Sequence, residues 1–218
     1  PVFLVLADKL GGKLANYHGT TILTQLMRDL WPDFYSALEK NDIMKIVGVQ
    51  INDIDDFKQK VSEFDNGKYK IAGFFHEIVL MNYAGILLSS QFINESHKIC
   101  VERDIPIAVD EIQSCMWTPN LFLFKEYDAK PSFVSVGKGF PGGEYPASKI
   151  LTTSAMDSLD LFGALVTNGQ EELASLAYLI TMNFVEANAE YINLIGKYFQ
   201  DSLQQLVKQY PVMVTKIE

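Results

Sequence analysis

Ile105-Pro106-Ile107-Ala108-Val109 runs straight into Asp110-Glu111-Ile112-Gln113, and Phe133-Val134-Ser135-Val136 runs into Gly137-Lys138-Gly139. Each is a short run of β-forming residues that ends on a side chain with chemistry to offer. Continuous apolar runs of this kind mark strands buried on both faces of a parallel sheet. In open α/β sheets the ligand crevice lies beyond the carboxyl ends of such strands. An acid at one strand tip and a lysine at a neighbouring tip are therefore expected to face one cleft. The fold expected from this pair is α/β, with a mostly parallel sheet flanked by helices.

The remaining chain alternates in the same way. Residues 1–6, 43–49, 71–75 and 149–151 read as further strands, with Glu77 near the tip of the third. Ile54, Phe57, Val61 and Phe64 recur at helical spacing, so 53–64 is read as an amphipathic helix, and 91–102 as another. Gly11-Gly12 and Asp65-Asn66-Gly67 signal turns, Glu39-Lys40-Asn41-Asp42 reads as a solvated turn, and 20–29 reads as a helix or an irregular loop. Two long helices are expected near the end. The first, 169–186, carries Leu173, Leu176, Ala177, Ile180 and Phe184 on one stripe; the second, 187–209, carries Tyr191, Leu194, Ile195, Tyr198, Leu203 and Leu206. These apolar stripes are read as core. Tyr210-Pro211 breaks the second helix, and Val212-Met213-Val214 reads as the start of a strand.

The bulk numbers set limits on function. At 218 residues and 48% hydrophobic content, with mean hydropathy +0.07, the chain can bury a sizeable core. A net charge of −9 and a pI near 4.8 argue against nucleic-acid binding, which needs positive surface to meet phosphates. The opening apolar run is too short for a transmembrane span and lacks a basic flank, so no membrane partner is expected. Two cysteines, Cys100 and Cys115, provide no disulfide framework, which fits a cytoplasmic location. The three histidines show no metal-ligand spacing.

Asp110-Glu111-Ile112-Gln113, Val136-Gly137-Lys138-Gly139 followed by Gly142-Gly143, and Thr167-Asn168-Gly169 together resemble the class III aminotransferases. The gaps of 28 residues from Asp110 to Lys138 and 29 from Lys138 to Thr167 match in order and spacing as well. Tyr17-His18-Gly19 is similar to the family's aromatic-His-Gly motif, and Glu77 stands where its strand-end glutamate lies. The resemblance covers nearly the whole chain. It implies the large domain of a fold type I transferase dependent on pyridoxal phosphate (PLP), working on an amino donor and a 2-oxo acid as a homodimer.

The resemblance also implies roles. Lys138 would form the imine with the PLP aldehyde and then shuttle protons. Asp110 would pair with the pyridine nitrogen and keep it protonated. Gln113 would hydrogen-bond near the phenolic oxygen, and Tyr17 would stack on the ring. His18 and Gly19 complete the aromatic motif, Glu77 supports the site, and Thr167 reaches the phosphate of the partner subunit's cofactor. Glycines at 137, 139, 142 and 143 let the backbone approach a bulky ligand.

Blander readings stand beside these. Asp110 alone reads as a strand-end cap, and Lys138 alone as a solvated loop lysine. Thr167 reads equally as a helix cap with Gln170 completing a capping box. His76 and His97 read as core histidines and Cys115 as a buried thiol. Gln170-Glu171-Glu172 and Ser114-Cys115 depart from the family's usual residues at those places.

The family's chains are considerably longer. No glycine- and serine-rich phosphate cup precedes Tyr17, and the arginine that grips a substrate carboxylate has no counterpart here. The expectation is a large domain truncated at both ends, with 1–209 as the PLP-binding part and 210–218 as the start of a small domain. The chain is then either a fragment of an enzyme or a natural truncation. The alternatives to an aminotransferase are a catalytically inactive PLP-fold module and a PLP-dependent aminomutase or racemase.

Overall fold

Seven strands build the main sheet of the computed structural model, which describes residues 1–10, 13–19, 21–28, 30–143, 145–160, 163 and 171–214. For residues 10 and 13–17 it describes the backbone alone. The strands are β1 (Val2–Leu10), β2 (Lys13–Tyr17), β3 (Lys45–Gln50), β4 (Ile71–His76), β7 (Ile107–Asp110), β8 (Phe133–Val136) and β9 (Lys149–Thr152). Between β4 and β7 lies a small hairpin of β5 (Val79–Leu80) and β6 (Ile86–Leu87). The main path runs β2-β1-β4-β7-β8-β9, with β3 also pairing β1. β1 is parallel to β3 and β4, β4 to β7, and β7 to β8, while β2 folds back antiparallel on β1.

The chain divides into two compact units. The first comprises Pro1–Asp110, Tyr127–Ser135 and Ile150–Ser158 and holds nearly all of this sheet. Its core follows from the apolar runs, since Leu4, Val5, Leu6 and Ile71 are fully buried. Helix α3 (Ile54–Phe64) and α4 (Ser90–Glu102) supply Phe57 and Phe92, which meet each other edge-on with centroids 6.1 Å apart. Phe74 of β4 joins them, 5.1 Å from Phe57. Both helices start on side-chain caps, as their sequences require: Asp53 accepts from Asp56 N–H at 2.9 Å, and Ser89 from Phe92 N–H at 3.2 Å. Elsewhere in the unit, Leu23 and Leu26 of the short α1 (Ile22–Met27) pack on Val5 and Ile46.

Strand β2, the β5–β6 hairpin and helix α2 (Pro32–Lys40) are elements the sequence reading lacks. Glu39 and Lys40 belong to the end of α2, and only Asn41 and Asp42 form the exposed turn expected there. The Gly11-Gly12 turn lies outside the described residues.

The second unit comprises Glu111–Glu126, Val136–Lys149 and Leu159–Glu218. It contains α5 (Glu172–Ala187) and α6 (Ala189–Gln209), and most of a short 3-10 helix at Leu123–Tyr127. Here the helical stripes correct the sequence expectation. The buried face of α5 is Ala174, Tyr178, Thr181 and Val185, whereas Leu173, Leu176, Ile180 and Phe184 are exposed, Phe184 to 61%. On α6, Tyr191, Leu194, Ile195, Tyr198 and Leu206 are exposed as well. The physical reason is that α5 is apolar nearly all round, so periodicity does not select its inward face. Small residues do: Ala174 and Thr181 allow close approach, and Tyr178 fills the space between them.

Two further corrections concern helix ends. The cap of α5 is Glu171, whose carboxylate accepts from Ala174 N–H at 2.9 Å, so the helix does not start on a Thr167–Gln170 capping box. Residues 211–213 form a turn rather than a strand, because Met213 and Val214 N–H both bond back to the carbonyl of Tyr210.

Candidate active site

Asp110 is the last residue of β7, and the parallel register sets it directly opposite Ser135 of β8. Residues opposite one another in a ladder share a face of the sheet. The two side chains meet there: Ser135 Oγ donates to Asp110 Oδ1 at 2.7 Å. Both line a cavity of about 330 Å³ whose other walls include Phe75, Phe133, Ile150 and Thr21. The hydroxyl of Thr21 is buried without a hydrogen-bond partner among the described residues. Pockets of this size with apolar walls and a few converging polar groups are the usual form of a small-molecule site.

The aromatic motif and the strand-end glutamate lie in the same unit. His18 is buried, its ring 4.0 Å from that of Tyr83, and its Nε2 has no hydrogen-bond partner among the described residues. Burial pushes its pKa below the usual histidine value, and the nearby Asp8 carboxylate only partly opposes this. Gly19 adopts φ of +118°, which a side chain would resist, and a Cβ there would stand 3.9 Å from Oε1 of the buried Glu77. The motif and Glu77 are thus brought together. Tyr17 pairs through its backbone with Ala7, and its side chain is not among those described. Thr167 lies outside the described residues.

His76 is buried as a core histidine, donating from Nδ1 to the Glu77 carbonyl at 3.2 Å, and it also lines the Asp110 cavity. Its Nε2 meets Nε2 of His97 at 2.8 Å.

The second unit holds Gln113 and Lys138. Gln113 is half-buried in the run of turns that follows Asp110. That segment is pinned by Glu111, whose fully buried carboxylate accepts from Leu123 N–H at 2.9 Å, Phe124 N–H at 2.6 Å and Ser114 Oγ at 3.3 Å. Lys138 follows β8 and adopts φ of +49°, the left-handed region that costs a side-chain-bearing residue free energy. Phe140 N–H bonds to the Gly137 carbonyl at 3.0 Å, closing a turn around the lysine. Its ring then plugs between Tyr178 of α5 and Phe122, at centroid distances of 4.7 and 5.8 Å. A Cβ at Gly137 would come within 3.3 Å of the Ala147 carbonyl, and one at Gly139 within 3.2 Å of Met116 Sδ. Both glycines are closely packed, so a side chain at either would make its neighbour give by a few tenths of an ångström. Cys115 is buried beside this turn, its Sγ 4.0 Å from the Gly137 carbonyl.

A family model described as Aminotransferase class-III matches residues 10–218. The chain belongs to the class-III aminotransferase family. An acetylornithine aminotransferase of Aquifex aeolicus is 26% identical over 161 residues, covering 73% of this chain and 41% of that protein. One from Synechocystis is 23% identical over 209 residues, covering 93% and 47%. Among solved structures, the ornithine aminotransferase of Toxoplasma gondii superposes with TM-score 0.72 at 18% identity, over 100% of this chain and 49% of that one. The likeness to that structure establishes the shared fold. The chain spans less than half the length of these relatives.

Class-III aminotransferases use PLP, and the residues of this class-III chain fit it. An acid at a strand tip opens on an apolar cavity, a hydroxyl there lacks a partner, and a lysine is held in a strained turn between glycines. Four contributors escaped sequence reasoning: Ser135, Thr21, Glu111 and Phe140. The signal for Ser135 was present, since it is the one polar residue in the apolar run 133–136.

Proposed function

We propose that the protein is a PLP-dependent aminotransferase that moves an amino group between an amino donor and a 2-oxo acid by a ping-pong route. The observation that carries this reading is Asp110, held by Ser135 at a strand tip over an apolar cavity. When bound, PLP supplies an electron sink for the carbanion at the substrate carbon.

This chain's residues do the rest. The Lys138 amine would hold the cofactor through its aldehyde carbon and would take and return protons at Nζ once released. The Asp110 carboxylate holds a proton on the ring nitrogen, because an adjacent opposite charge favours the charged form. Gln113 would donate towards the phenolic oxygen and Tyr17 would stack on the ring, while the His18-Gly19 turn is backed by Glu77. Thr167 would reach the phosphate of the partner subunit's cofactor in a homodimer. Residues 1–209 form part of the PLP-binding large domain, 210–218 open the small domain, and the protein works in the cytoplasm. No helix among the described residues is long and apolar enough to cross a membrane.

The relatives named for acetylornithine and ornithine make these the donors to test first, with 2-oxoglutarate or pyruvate as acceptor. The expected result is formation of glutamate or alanine that depends on both substrates and vanishes in Lys138→Ala. Isomerised or racemised donor without any acceptor would replace the reading with an aminomutase or racemase. PLP binding with no turnover of any donor would leave a catalytically inactive module.

A further inference from the structure

We infer that Ser135 is a positioning residue for Asp110, an inference that rests on the reading of Asp110 as the ring-nitrogen partner. Asp110 ends its strand, and the chain beyond it enters turns, so the sheet ladder stops where the carboxylate must be aimed. The terminal torsion of an aspartate is broad, so hydrogen bonds to its oxygens decide how the carboxylate is turned. The bond from Ser135 Oγ to Oδ1 is one that fixes it. At 2.7 Å it has the length of a hydroxyl–carboxylate hydrogen bond, the charge-assisted kind that is stronger than its neutral counterpart.

The surroundings make this bond matter more. Phe75, Phe133 and Ile150 wall the cavity on which both residues open. A polar pair beside apolar walls is less screened than one in water, so its geometry is held more firmly. The parallel register places Ser135 and only Ser135 of β8 opposite Asp110. Such partners orient the group that touches a cofactor, and their loss is felt in binding.

The test compares wild type with Ser135→Thr and Ser135→Val, two side chains of the same shape that differ in one hydroxyl. PLP labelled with 15N in the ring reports the proton on its nitrogen by NMR, and equilibrium dialysis gives the dissociation constant. Melting of the cofactor-free protein checks the fold of each variant. The expected result is wild-type behaviour in Ser135→Thr. In Ser135→Val the ring signal should move towards neutral pyridine and PLP should bind about tenfold more weakly. Equal signals and affinities in the Thr and Val variants would overturn the role of Ser135 while leaving Asp110 its own. A wild-type protein that binds no PLP, or binds it with an unprotonated ring nitrogen, would overturn the Asp110 reading and this inference with it.

Discussion

His76 and His97 share a single hydrogen bond, Nε2 to Nε2 at 2.8 Å, and only one proton can occupy it. The tautomers follow. His76 Nδ1 faces a carbonyl and must donate, so its Nε2 is the acceptor and His97 Nε2 carries the proton. His97 Nδ1 is then a bare lone pair, buried and without a hydrogen-bond partner among the described residues. Charging His76 would put a second proton into the shared bond, and charging His97 would place a buried N–H at Nδ1 with no acceptor among the described residues. Burial pulls His76 down to about 4 and His97 to about 3, the neighbouring His76 adding to the second.

Acid lability is the consequence. Both histidines titrate near 6.5 in the unfolded chain, so below that pH the unfolded state binds more protons than the folded one. Their contribution is fully present above pH 6.5 and is lost as pH falls towards 4 and 3. Each histidine contributes a slope of up to about 1.4 kcal/mol per pH unit. Urea unfolding between pH 7.5 and 4.5 should show falling midpoints, and His76→Phe with His97→Leu should flatten that limb. An unchanged limb in the double variant would assign the acid sensitivity elsewhere.

The strained turn at Lys138 gives a different signature. Glycine relieves a positive φ and alanine does not. Lys138→Gly should therefore be about 1 kcal/mol more stable than Lys138→Ala, while both lose cofactor attachment. Chemical denaturation of the two variants measures the difference; equal stabilities would mean the residue carries no backbone strain.

Glu111 sits beside the expected ring partner but works on its own segment. Glu111→Ala leaves the N–H groups of Leu123 and Phe124 without their carboxylate acceptor and should cost roughly 2–4 kcal/mol. Denaturation midpoints read this directly. A loss below about 0.5 kcal/mol, the scale of an ordinary surface change, would show that the turn holds without it.

The sheet was legible where a strand is a continuous apolar run, as in β7 and β8, because such a run leaves few alternatives. Burial nevertheless alternates along both, and Ala108, Asp110, Phe133 and Ser135 are only half-buried on the face that lines the cavity. Lys13-Leu14-Ala15-Asn16-Tyr17 was not, being short, mixed in polarity and paired only with β1 on the main path. Helix α2 begins at Pro32, a favoured first-turn residue, but the Trp31 before it makes no side-chain cap bond, so the usual polar start signal is missing. The face of α5 was misread because its apolar residues surround the helix, and the deciding residues, Ala174 and Thr181, are small. Asp110 and Lys138, the residues proposed to meet the cofactor, announce themselves by residue type at strand ends. Ser135 and Glu111 do not, since a serine in a strand or a glutamate in a turn acquires meaning only once register and folding bring its partner near.

The central claim is that Lys138 carries the cofactor. Treating the protein with PLP, reducing with borohydride and mapping the modified lysine by mass spectrometry tests it most directly, with Lys138→Ala as control. The account predicts modification confined to Lys138 and absent from the variant. No modification, or modification scattered over surface lysines and unchanged in Lys138→Ala, would contradict it.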